Sequence, residues 1–193
     1  MRAMERQAMS DVEGRLADFS DGLSPQVNRR RVVAELDRLF LTGLPPDPLP
    51  DGFLRGRLLG TTTWAPFDAL ARGLAGMWMP WQGKVFDPAA MTGINRFSLD
   101  VRLPMMALWP SYVPVLGDAR LEAFVFRNRI EPGALDPGLR VLKIDYDFDA
   151  NPGFLIRRIL DELVQLADGV YLGKVLMRYR GTFRRIGFFS LAA

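Results

Sequence analysis

Neither cysteine nor histidine occurs anywhere in this 193-residue chain. The first absence excludes disulfides and thiol catalysis. The second removes the commonest general base and metal ligand, and with it a catalytic zinc, a Ser-His-Asp triad and a histidine-ligated haem. An oxygen-only site for a hard cation stays open, yet no carboxylate run has calcium-loop spacing. No metal and no cofactor are therefore expected. No apolar run reaches the ~18 residues of a membrane span, and no charged-then-apolar-then-small pattern marks a secretory signal. Together with the lack of cysteine, this makes a cytoplasmic location the expectation. A long contiguous basic stretch is missing too. Net charge is +3, with most of the positive charge as arginine, clustered locally at Arg29-Arg30-Arg31 and from Arg178 to Arg185. Nucleic-acid surfaces carry a stronger footprint, so these clusters read as a solvated helix face and a hairpin end, with no nucleic-acid partner expected.

What is present is ordinary globular material, 49% hydrophobic and 24% charged, enough for one core of good size. The clearest pattern lies late in the chain. From Val141 to Phe148, Leu142, Ile144, Tyr146 and Phe148 alternate with Lys143, Asp145 and Asp147, which argues a strand with one buried face. Asn151-Pro152-Gly153 stops it. Phe154 to Leu166 then repeats apolar residues at helical spacing (Leu155, Ile159, Leu163 and Leu166), predicting an amphipathic helix that ends at Asp168-Gly169. Val170–Tyr179 and Phe183–Leu191 read as a β-hairpin through Arg180-Gly181.

Upstream, Met1 to Gly22 is polar and weakly periodic. Ser24 and Pro25 suit the N-cap and first turn of a helix running to about Leu41, with Val27, Val33, Leu36, Leu39 and Phe40 as its stripe. The proline-rich segment Leu44–Gly52 links this arm to the body. Residues 1–52 thus form a helical arm with its connector, and 53–193 the main domain. Strands are expected at Phe53–Gly60, Trp81–Asp87, Met91–Leu99 and Leu121–Ile130, with a helix at Thr61–Met79 inserted between the first two. Val101–Pro114, apolar and broken by three prolines, suits a buried loop or short helix over a barrel mouth. Six or seven strands joined by short turns point to a mainly β protein whose antiparallel sheet closes into a calycin-like barrel. With about eight strands such a barrel can hold one small ligand.

The stretches Trp81-Gln82-Gly83-Lys84-Val85-Phe86, Gly93-Ile94-Asn95-Arg96-Phe97 and Asp161-Glu162 … Gly169-Val170-Tyr171-Leu172-Gly173 together resemble bacterial proteins with a lipocalin-like barrel. The resemblance spans roughly Phe53 to Leu191. It differs from a lipocalin in order, since Trp81 follows a strand and a helix, whereas a lipocalin carries its glycine-x-tryptophan on the first strand. It implies a fold but no activity, and no functional residue comes from it.

If the sheet closes, the inward residues are Leu142, Ile144, Tyr146 and Phe148; Phe124, Phe126 and Asn128; and Tyr171, Gly173, Val175, Met177 and Tyr179. Trp64, Trp78, Trp81 and Trp109 lie where they could cover the mouth. An apolar, aromatic lining with few polar groups suits a hydrophobic small molecule. Candidate ligand contacts are Trp78, Trp81, Asn95, Phe124, Phe126, Ile144, Phe148, Met177 and Tyr179. The same residues could equally fill a small barrel as packing. Arg127, Arg129, Lys143, Asp145 and Asp147 are expected to pair across strands on the outer surface. Turned inward, a Lys143–Asp145–Arg127 group could serve acid–base chemistry. Asp161 and Glu162 diverge around the expected helix, where one could anchor it through Arg157 or Arg158.

Three functions fit. The first is binding of a hydrophobic small molecule, such as a fatty acid or polyketide-like metabolite. The second is a cofactor-free cyclase or isomerase acting on such a molecule, with Tyr146, Tyr171 and Asn128 as its polar groups, since a phenol donates a hydrogen bond without burying charge. The third is an interaction module whose N-terminal helix serves a partner or a homodimer.

Overall fold

The computed structural model describes residues 10–16, 29–61, 81–117 and 119–193. Among these residues nine strands run in chain order: β1 (Gly52–Thr61), β2 (Trp81–Asp87), β3 (Thr92–Phe97), β4 (Val115–Leu116), β5 (Leu121–Pro132), β6 (Arg140–Asp145), β7 (Ile159–Ala167), β8 (Val170–Tyr179) and β9 (Thr182–Ala192). They pair in the order β3-β2-β1-β9-β8-β7-β6-β5-β4, and an added β3–β5 pairing closes the ring. Every pairing is antiparallel. The protein is therefore mainly β, a closed eight-stranded barrel in which β4 is a two-residue addition against the start of β5. Closure satisfies both edges of the sheet, which a flat sheet of this length would leave open.

Turn chemistry sets the corners. Arg180 and Gly181 both take positive φ (50° and 81°), the geometry of the tight hairpin turn that matches strand twist. At Gly83 the backbone turns through φ 146° and presses so close to β1 that a Cβ would sit 2.0 Å from the Leu54 carbonyl oxygen. The register shift there leaves both Trp81 and Lys84 facing inward. A second shift sets Ile94 against Val125 and Asn95 against Ala123, which leaves Phe124 unpaired at φ 60° and aims its ring into the barrel.

Buried apolar side chains form two clusters, one on each side of the barrel wall. The interior holds Phe86, Phe97, Phe126, Ile144, Leu163, Val175 and Phe189 among others. The outer cluster lies under helix α1 (Arg29–Phe40), whose Val33, Leu36 and Phe40 recur at helical spacing and pack on Val141, Val164, Leu172 and Phe188. Asp37 on the same helix pairs with Lys174 at 3.4 Å and with Arg185. The proline connector is pinned as well: Leu44 and Gln165 exchange backbone hydrogen bonds of 3.1 and 2.7 Å. Residues 10–16 are also helical. The expected Ser24-Pro25 helix start, the inserted helix at Thr61–Met79 beyond Thr61 itself, Trp64 and Trp78 lie outside the described residues.

The helix expected over Phe154–Leu166 is not there. Only Ile156–Arg158 makes a 3-10 turn, and Ile159–Ala167 is β7, between β6 and β8. Six of its first residues are buried, because one face meets the barrel interior and the other meets the outer cluster. A strand buried on both faces loses its alternation, and its apolar residues then mimic helical spacing. Asp161 and Glu162 consequently point to opposite sides of a sheet, and neither pairs with Arg157 or Arg158. Arg157 pairs instead with Asp147 and Asp149.

Val101–Pro114 contains the short helix α2 (Arg102–Leu108), with Pro104 tolerated in its first turn. Met105 and Trp109 turn into the interior cluster. Trp109 Nε1 donates to the Phe154 carbonyl at 3.1 Å, and the Tyr112 hydroxyl accepts the Phe124 amide at 2.7 Å. Phe124 thus sits between the rings of Trp109, Tyr112 and Phe97, with centroids 5.2, 5.3 and 5.8 Å away.

Candidate functional site

Among the described residues, a polar cluster built from strands on opposite walls lies in the barrel interior. Lys84 on β2 and Asn95 on β3 are register partners. Asp161 on β7 stands across the interior from them, and Tyr146 follows directly after β6. Lys84 Nζ donates to Asp161 Oδ2 at 2.9 Å, to Asn95 Oδ1 at 2.9 Å and to the Tyr146 hydroxyl. The Tyr146 hydroxyl in turn donates to Asp161 Oδ2 at 3.0 Å. Asn95 Nδ2 donates to the Phe124 carbonyl and to the Tyr146 oxygen, both at 3.1 Å, and Trp81 Nε1 donates to Asn95 Oδ1 at 3.2 Å. All four central side chains are buried, with Lys84 2% exposed and Asp161 4%.

The cluster borders a cavity of about 50 Å³ open to the centres of water-sized groups. Holding one water needs roughly 10–15 Å³ on that measure. The rest of the wall is apolar, formed by Leu58, Phe97, Phe124, Ile159, Val175 and Phe189 with the indole of Trp81. Phe189 is held against the wall by Gly173, its register partner, where any Cβ would strike the ring. Asp161 Oδ1 is buried without a hydrogen-bond partner. A buried carboxylate oxygen left bare costs free energy unless something from the cavity satisfies it.

Burial shifts two of these groups, Lys84 and Tyr146. Desolvation pulls Lys84 below the ordinary lysine value, opposed by the neighbouring Asp161 carboxylate. The Tyr146 hydroxyl is pushed well above the ordinary phenol value, first by burial and then by the charge of Asp161, so it stays a proton donor through the physiological range. The Lys84 ammonium also lies 5.0–5.5 Å from the ring centroids of Trp81, Phe126, Tyr146 and Phe189. Those ring faces favour a cation buried among them.

Of the residues singled out in the sequence, Trp81, Asn95, Phe124 and Tyr146 come together at this cavity. Phe126, Ile144, Met177 and Tyr171 are interior packing that does not border it. Burial raises the Tyr171 hydroxyl, with Asp168 adding to it. Asn128 lies elsewhere on β5, donating through Nδ2 to the Thr92 carbonyl at 3.2 Å, with Oδ1 buried and unpartnered. Phe148 leaves the inward face, because β6 ends at Asp145, and the Arg127 guanidinium stacks on its ring at 4.2 Å. Tyr179 closes β8 at the hairpin end, half-buried, with the Arg180 guanidinium 5.3 Å from its ring. The inward Lys143–Asp145–Arg127 group does not form. Asp145 pairs with Arg129 and Lys143 with Glu131 on the outer wall.

Two central residues escaped the sequence reading. Beyond its place in the expected strand Trp81–Asp87 and in the Trp81–Phe86 motif, Lys84 carries no signal in the sequence, although lysine is rare in this chain. Asp161 falls in the run whose spacing predicts a helix; on the strand it forms instead, it is the single charged residue on the inward face of β7. Among the described residues no group of three or more carboxylates could hold a metal ion, and no helix is long and apolar enough to cross a membrane.

No family model matches the chain, and no curated protein matches it. It is similar to the crystal structure of a protein from Thermomonospora curvata, with 18% sequence identity and a TM-score of 0.48, over 91% of this chain and 97% of that one.

Proposed function

We propose that this protein binds a hydrophobic small molecule, lipid-like or polyketide-like in chemistry, inside a calycin-type barrel. The observation that carries this reading is the cavity itself: apolar and aromatic walls around a single polar cluster with an unpartnered carboxylate oxygen. Apolar area supplies the binding free energy, at roughly 25 cal/mol per Å² buried, and the cluster orients one polar group of the ligand. An environment-sensitive apolar dye should brighten on titration with the protein. Val175→Phe, which fills the cavity from β8, should weaken that binding at least tenfold. Equal dye binding by this variant would move the site elsewhere.

A second reading, a cofactor-free isomerase or cyclase acting on the same class of molecule, has its own support. Tyr146 is held protonated beside Asp161 and Lys84. A donor and an acceptor of protons then face one apolar space, as general acid–base catalysis requires. Tyr171 and Asn128 do not contribute to it.

A further inference from the structure

The chain has 25 basic residues, of which only Lys84, Lys143 and Lys174 are lysine. All the others are arginine, whose guanidinium does not give up its proton and is no nucleophile. Lysine is thus kept for three places, and in each the side chain is largely withdrawn from solvent: 3%, 13% and 3% exposed. Lys143 and Lys174 lie outside the barrel lumen. Lys143 pairs with Glu131, and Lys174 is held under α1 between Asp136 at 2.6 Å and Asp37 at 3.4 Å. Lys84 alone among them borders the cavity.

We infer that Lys84 is an amine nucleophile, and that the cavity takes apolar aldehydes or ketones which it holds as an imine. This rests on the reading of the cavity as a hydrophobic ligand site and names the chemical class of its ligand. The surroundings supply what the condensation needs. An amine must be neutral to attack, and Asp161 Oδ2, 2.9 Å from Lys84 Nζ, accepts its proton, while burial disfavours the charged amine. Nζ then adds to the carbonyl carbon, and the electron pair of the C=O double bond moves to oxygen. That oxygen takes a proton from the Tyr146 hydroxyl, which is replenished from the protonated Asp161 it hydrogen-bonds. The amine proton of the adduct passes to Asp161, and the hydroxyl departs as water with that proton. The products are the protonated imine, charge-paired with the Asp161 carboxylate, and one water, with no change of oxidation state. The apolar walls then keep bulk water from reversing the reaction.

The test is reductive trapping on the intact protein. Hexanal and cyanoborohydride at neutral pH should attach one hexyl group, which peptide mapping places on Lys84. Labelling there should be at least tenfold faster than at Lys143, Lys174 or the terminal amine. Lys84→Arg, which keeps the charge but not the nucleophile, should lose the fast label. Hexanol, which fills the same space without a carbonyl, should slow the labelling by competition. If hexanol binds, seen by displacement of the apolar dye, while Lys84 stays unlabelled, the imine is wrong and the binding site stands. If neither hexanol nor hexanal displaces the dye and Lys84 stays unlabelled, both readings fall. Fast labelling confined to Lys143 or Lys174 would likewise overturn the assignment.

Discussion

At the scale of single residues, the Lys84–Asp161 pair dominates. Two buried opposite charges lose hydration, and their attraction recovers it only while both are present. Asp161→Asn leaves Lys84 without its counter-charge and should cost about 3–5 kcal/mol in urea unfolding. Replacing both, as Lys84→Met with Asp161→Leu, should recover most of that loss, and the cycle would show strong coupling. Additive losses would mean the two side chains act independently. Glu162, the next residue, behaves differently because it faces the outer wall. It accepts the Ala134 amide at 2.6 Å, yet burial raises its carboxyl above the ordinary value. The folded state therefore holds this proton more tightly than the unfolded chain does. Its contribution to stability is full below the unfolded value near 4.5 and is lost as pH rises through the raised one. Glu162→Gln should accordingly gain stability relative to the parent across that interval, measured as the difference in unfolding midpoint between pH 4 and pH 7. A constant difference would contradict the account. None of this was legible in the sequence, because buried charges leave no periodic signal. Tyr146, by contrast, was marked by its place in an alternating run.

Among the elements, those with one wet face were readable and those buried on both faces were not. β6 alternates because Lys143 and Asp145 reach the outer ion pairs while Leu142 and Ile144 fill the lumen. The β8–β9 hairpin was legible from Arg180-Gly181. β7 was not, since Leu160 and Val164 are apolar on the outside as Ile159 and Leu163 are within. The element that hides its outer face is α1. Leu36 and Phe40 are fully buried on the barrel wall, where the sequence shows only a helical arm linked to the main body by a proline-rich connector. Phe40→Ala should therefore destabilise the whole protein by about 3–5 kcal/mol, because a large cavity opens between helix and barrel. Thermal unfolding of this variant should stay a single transition. An early separate transition for the arm would show that α1 is not part of the cooperative unit.

For the molecule as a whole, a closed barrel puts an inside and an outside on every strand. Here the outside is committed to a helix and to ion pairs, while the inside is packed tightly except around one polar cluster. That division is why the site is built from strands far apart in sequence, with Lys84 and Asp161 separated by 77 positions. The closed antiparallel architecture was legible from the count of short strands and turns. The site was not, because only closure brings β2 against β7. The most direct measurement is native mass spectrometry of the freshly expressed full chain, followed by denaturing extraction. The account predicts a discrete, extractable, hydrophobic mass on the parent protein that is absent from Val175→Phe. A parent protein of bare polypeptide mass in repeated preparations, together with no uptake of apolar probes, would contradict it.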